Sequence, residues 1–235
     1  MSLNELMWQF NSIRKGCENK DLFDFARKLM EQNSKEYLDF HYGIIQDTET
    51  EGSVYDFICR KFRDRGDAGE DYLIERINTE QNNEVKASVL QMLGSYRNGN
   101  HKAETAELAR GFLKSISSVL RCRALWVLGW IGTPDDLEAI SKALYCDTDE
   151  DNRCWAASAM MQMFFDYKEI APIALTYLKK ALETEATTKA KWGILLSVQE
   201  ISGNRLGLKS NSHTLPSERT IKVAYNRAVK ILENY

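Results

Sequence analysis

Four stretches of this chain superimpose on one another: EVKASVLQMLG (residues 84–94), VLRCRALWVLG (119–129), DNRCWAASAMM (151–161) and TTKAKWGILLS (187–197). Registered on a basic residue, they place Lys86, Arg121, Arg153 and Lys189 in one column, with successive members 35, 32 and 36 positions apart. A period in that range belongs to arrays of stacked helix pairs, in which each unit covers the apolar face its neighbour leaves open. The chain is therefore expected to be all-α, a right-handed superhelical solenoid of antiparallel helix pairs closed by helical caps.

The other columns carry the physics of that expectation. One place after the basic residue stand Ala87, Cys122, Cys154 and Ala190, all small enough for helices to approach closely. Seven places after it come Leu93, Leu128, Met160 and Leu196, preceded by Met92, Val127, Ala159 and Leu195. Together they form one buried helical stripe. A second amphipathic run precedes each copy, at 72–77, 106–116, 136–145 and 173–182, so the unit is a pair of helices joined by a short turn. No two-residue hairpin turn lies between alternating apolar runs, and no strand is expected.

The runs VLRCRALWVLGWIGTPDDLEAI and DNRCWAASAMMQMF resemble HEAT or HEAT-like repeats, and the resemblance extends over 69–203. It implies the armadillo-type fold and says little of function, because such repeats serve unrelated proteins. It also implies an acidic residue six places before the basic one, bonded to it and tying repeats together. Glu80, Asp147 and Glu183 occupy that offset from Lys86, Arg153 and Lys189, while Ser115 breaks the pattern before Arg121.

The repeat divides the chain into an N-terminal helical cap or degenerate repeats (1–68), the repeats (69–203), and a loop with a capping helix (204–235), all one continuous domain. Helices are expected near 3–15, 21–31, 35–45, 53–65 and 217–233, with connectors at 47–52, 64–69 and 203–216. At Gly132-Thr133-Pro134, the glycine is expected to end one helix in a left-handed conformation and the threonine to cap the next. No run approaches the ~20 apolar residues of a membrane span, so no membrane association is expected. The first ten residues lack the basic start and apolar stretch of a secretory signal. Five cysteines without a CxxC pair suit reduced thiols in the cytoplasm.

Candidate chemistry is sparse. His41, His101 and His213 have no companions at metal-ligand spacing, Cys122 and Cys154 fall in the small packed column, and no phosphate loop, GxSxG or HExxH motif occurs. No catalytic residue, metal or cofactor is expected. The dense N-terminal aromatics, from Trp8 to Phe57, suit either a pocket or the core of a cap. What remains is a basic stripe on the second helices, Lys86, Arg121, Arg123, Arg153, Lys189 and Lys191, accompanied by Trp126, Trp155 and Trp192. This stripe would line a concave face, either as a groove for anions or as cations neutralised by Glu80, Asp147 and Glu183. Acids at the matching offset in three of the four repeats favour neutralisation, and the net charge of −3 argues against a dedicated nucleic-acid binder. The expected function is a non-enzymatic protein-binding module, an adaptor or an immunity protein that blocks a toxin, engaging another protein with that face. The alternative is a DNA-binding solenoid similar to alkylpurine glycosylases. HEAT-like bilin lyases are a further relative that no residue here supports.

Overall fold

The structure, a computed structural model, describes residues 1–209 and 214–235. His213 lies outside the described residues. Among the described residues there are thirteen α-helices and no strand. They are α1 (Leu3–Ile13), α2 (Asn19–Leu29), α3 (Lys35–Gln46), α4 (Gly52–Lys61), α5 (Gly66–Thr79), α6 (Asn83–Ser95), α7 (Lys102–Phe112), α8 (Ser118–Ile131), α9 (Leu137–Cys146), α10 (Glu150–Asp166), α11 (Ala171–Thr184), α12 (Thr188–Ser202) and α13 (Glu218–Leu232). The chain forms two compact units, Met1–Thr105 and Ala106–Tyr235, with α7 running through the boundary.

In the first unit, α1 to α4 enclose a core of Leu6, Phe10, Ile13, Leu22, Phe25, Leu29, Ile44, Val54 and Ile58. A reciprocal cap between Ser2 and Glu5 starts α1. The expected connector at 64–69 is not a loop. A 3₁₀ turn, Phe62–Arg65, follows α4, and the chain re-enters a helix at Gly66, whose φ of 58° only glycine adopts freely. Arg65 of that turn is buried, donating from Nε to His41 Nδ1 (3.0 Å) and from its terminal nitrogens to Leu29 O (3.1 Å) and Gln32 O (2.7 Å). One arginine thus fastens the end of α2 and the middle of α3. Helices α5 and α6 pack together as the first repeat pair.

In the second unit, α8, α10 and α12 lie side by side, α9 packs on α10, α11 packs on α12 and on α9, and α13 closes the array against α11 and α12. This is the stacked-pair arrangement that the period demands. At Gly193, an added Cβ would stand 2.5 Å from Cys154 Sγ and 3.1 Å from Cys154 Cα, so glycine is what lets α12 approach α10. Gly132 ends α8 in extended backbone (φ −66°, ψ 176°), not in the left-handed conformation expected of it. Its lack of a side chain matters for another reason: a Cβ there would meet Leu128 O at 2.4 Å. Thr133 then caps reciprocally with Asp136, and Pro134 opens the short turn that leads into α9.

The caps fix the register of the repeats. Asn82, Ser117, Asp149 and Thr187 are the N-caps of α6, α8, α10 and α12. Counted from them, the fourth positions are Lys86, Arg121, Arg153 and Lys191, so Lys191 rather than Lys189 completes the basic column. The tenth and eleventh positions are Met92-Leu93, Val127-Leu128, Ala159-Met160 and Ser197-Val198, all buried, whereas Leu196 is only half-buried. Two lysines two places apart made both registers look alike in the sequence. The cap decides between them because it sets where the helix begins and hence which face each residue takes.

Candidate functional site

The turns before the second helices share one device. The residue two places before each N-cap accepts from the cap's backbone N–H: Glu80 from Asn82 (2.8 Å), Ser115 from Ser117 (3.1 Å), Asp147 from Asp149 (3.0 Å) and Glu185 from Thr187 (2.8 Å). In the second unit the acid at this place also takes the arginine of the preceding repeat. Arg121 grips Asp147 through Nε and Nη2, both at 2.8 Å, and Arg153 grips Glu185 at 2.7 and 3.1 Å. Each arginine reaches back with Nη1 to the carbonyl six residues earlier, Ser115 O at 3.0 Å and Asp147 O at 2.8 Å.

The six-residue offset is thus bridged by main chain, and the acid side chain serves the previous repeat. Four expectations change accordingly. Arg121, expected to lack a partner, is firmly held. Asp147 neutralises Arg121 and not Arg153, and Glu183 is exposed while Lys189 pairs with Asp151. Glu80 accepts from Tyr42 Oη (2.7 Å) and Gln46 Nε2 (2.9 Å), and Lys86 makes no ion pair among the described residues. Burial would raise the Glu185 carboxyl, but Arg153 and the Thr187 hydrogen bonds outweigh it and hold the group at about 2. Asp147 is lowered in the same way, with burial offset by Arg121. The ladder therefore consumes its cations: Arg121 and Asp147 keep only 14 % and 3 % of their side-chain surface exposed.

The face of α8, α10 and α12 that carries positions two, six, nine and thirteen after each cap is different. Three tryptophans stand on this face, Trp126 and Trp130 on α8 and Trp155 on α10, each half-buried, while Trp192 of α12, also half-buried, falls at position five. Trp126 meets Trp155 edge-on (centroids 4.7 Å, 62°) and leans on Trp130 (6.3 Å). The Arg123 guanidinium carbon sits 4.0 Å from the Trp126 ring centroid. Arg123 makes no ion pair among the described residues, and its Nε is buried without a hydrogen-bond partner there, as are Trp126 Nε1, Trp192 Nε1 and Gln162 Oε1. Phe165 of α10 continues the face, 54 % exposed. Of the residues expected to form the stripe, Arg123 and Trp155 meet around Trp126. Arg121 and Arg153 belong to the ladder, Lys189 is neutralised, and Lys191 reaches the Ala186 carbonyl at 3.4 Å. Trp130, Gln162 and Phe165 were missed in the sequence, although the cap register would have put them on this face.

Elsewhere the chemistry is structural. His41 is fully buried, its ring stacked on Phe62 (4.2 Å) with Nε2 against Ile58 O (2.9 Å). His101 lies between Asp71 (2.7 Å) and Glu104 (2.9 Å), whose hydrogen bonds raise its pKa. Burial pushes the thiols of Cys122 and Cys154 up to about 11. Among the described residues, no three His, Cys, Asp or Glu side chains are grouped to hold a metal ion, and no helix is long and apolar enough to cross a membrane. Most N-terminal aromatics fill the first unit's core, while Trp8, 75 % exposed, lines an open cleft of about 890 Å³ beside Gln9, Cys17 and Lys28.

Comparison with known families agrees with this geometry. Residues 70–161, which reach from within α5 into α10, match the family model of HEAT repeats. No curated protein matches the chain.

Proposed function

We propose that this chain is a protein-binding module whose contact surface is the tryptophan face of α8 and α10. HEAT repeats generally mediate contacts between proteins. The observation that carries the reading is the gathering of Trp126, Trp130 and Trp155 on the adjacent helices α8 and α10, half-buried and in ring contact. Tryptophan and arginine dominate the few residues that supply most binding energy at protein interfaces, and rigid aromatic rings lose little entropy on contact. The same reading makes the protein an adaptor, or an immunity protein that covers a toxin. Its five free cysteines fit a reducing cytoplasm. A nucleic-acid groove is the weaker reading, because Arg121, Arg153 and Lys189 are already neutralised by carboxylates.

The test is to select binders from a displayed peptide library against the purified chain and to measure their affinity for two variants. Trp155→Ala should weaken binding at least tenfold. Ile173→Ala, which alters an exposed apolar residue of α11 on the other helix layer, should leave it unchanged. Binders that ignore Trp155→Ala, or no binders at all, would reject the tryptophan face.

A further inference from the structure

The arginines of the second unit have unequal fates. Arg110, Arg121 and Arg153 each hold a carboxylate, Asp136, Asp147 and Glu185. Arg123 holds none among the described residues. Its flat guanidinium lies over Trp126, a stacked geometry in which an arginine stays partly desolvated yet can still present its edge to a planar acceptor. Beside it the unpartnered polar atoms are donors, Arg123 Nε and Trp126 Nε1. Both atoms are buried, so an incoming acceptor meets the outer nitrogens of the Arg123 guanidinium, whose residue is half-buried. The rings in contact with Trp126 are those of Trp130 and Trp155.

From this we infer that the Arg123–Trp126 pair is the seat of a side-chain carboxylate, an Asp or Glu flanked by apolar residues on a partner segment that lies across the tryptophan face. This inference rests on the protein-binding reading above and gives the partner its chemistry. Charge complementarity selects a peptide carboxylate over nucleic acid. Phosphate backbones are recognised by several cations acting together, each adding to the salt dependence. This face offers one uncompensated arginine, while Arg121, Arg153 and Lys189 already hold carboxylates.

The displayed peptide library again serves as the probe, with full-length chain as bait. The selected peptides are expected to contain Asp or Glu next to aliphatic or aromatic residues. Changing that acid to its amide should weaken binding about tenfold in the native chain. In the Arg123→Gln variant the acid and amide peptides should bind alike, the signature of a pairwise coupling. Arg123→Gln alters a half-buried surface group and should melt with the native protein. Should Trp155→Ala fail to fold, Phe165→Ala replaces it, since that ring is more exposed.

Binders that need Trp155 but carry no acid, or whose acid is insensitive to Arg123→Gln, overturn the carboxylate seat and leave the protein-binding face standing. So do peptides that require a terminal carboxylate or a phosphate. Binders indifferent to both Arg123 and the tryptophans, or an empty selection, overturn both. Sub-micromolar, salt-sensitive binding of duplex DNA that disappears in Arg123→Gln also overturns both, in favour of nucleic acid.

Discussion

His41 makes the first unit's stability depend on pH in a calculable way. Arg65 Nε donates to His41 Nδ1, so that nitrogen must be an acceptor. The proton therefore sits on Nε2, which donates to Ile58 O. A second proton would have to enter at Nδ1, against a guanidinium donor and beside its positive charge. Burial first, and the Arg65 charge second, hold the imidazole down at about 3, while the unfolded chain titrates near 6.5. The unfolded state therefore binds more protons between these values. Stability is full above pH 6.5 and falls as pH drops toward 3. Integrating the linkage from pH 7 to pH 5 gives a loss of about 2 kcal/mol from this one group. His101 acts in the opposite sense. Its raised pKa gives it a contribution that is present below pH 6.5 and lost as pH rises through the folded value, so it masks part of the effect. The difference between the native protein and His41→Gln removes that term. Urea unfolding at pH 7 and pH 5 should show the native protein losing about 2 kcal/mol more than the variant. Equal losses in the two proteins would refute the buried neutral imidazole and the hydrogen-bond assignment behind it.

Removing one partner of the buried Arg121–Asp147 pair, as in Asp147→Ala, should destabilise the second unit by about 3–5 kcal/mol, read as a lower urea midpoint, because the arginine is left without its acceptor. Glu185 has a lowered pKa, so its contribution is present above about 4.5 and is lost as pH falls toward about 2. Glu185→Gln should therefore be less stable than the native chain at pH 6 and nearly level with it at pH 2, measured by the same denaturation. Leu128→Asp places a charge at a fully buried site and should give aggregated or unfolded protein by size exclusion and circular dichroism, at a cost of several kcal/mol. Duplex DNA should bind only in the non-specific range of about 10⁻⁴–10⁻⁶ M at physiological salt, checked by fluorescence anisotropy.

The helices and their pairing were legible in the sequence because the period repeats whole structural units and the caps leave a local signature. Ser117, Asp149 and Thr187 each stand where a polar side chain or turn should start a helix. The ladder was half legible. Its residue types were plain, but its connectivity joins Arg121 to Asp147 and Arg153 to Glu185, across repeats, and a search at one offset within a repeat finds Glu183 instead. The first unit was least legible. Arg65 sits in what reads as a charged connector, RDRGD, yet it is buried because four acceptors from α2, α3 and the turn between them converge on it.

Arg121 and Arg123 show why the second helices do not present one basic stripe. They are two positions apart, which on an α-helix is a rotation of about 200°. Arg121 therefore points along the row of turns, where Asp147 and the Ser115 carbonyl already wait. Arg123 points to the opposite side, onto Trp126. Helical geometry thus keeps the arginine that ties repeats together apart from the one proposed for recognition. A repeat must satisfy its ladder to stack, and the cations in it are then spent. Six residues after their caps, α8 carries Arg123 and α10 carries Trp155, whereas α12 carries Gly193, packed against Cys154. Stacking needs a repeated column and recognition needs a varied one, so the variable column is the one that can distinguish partners.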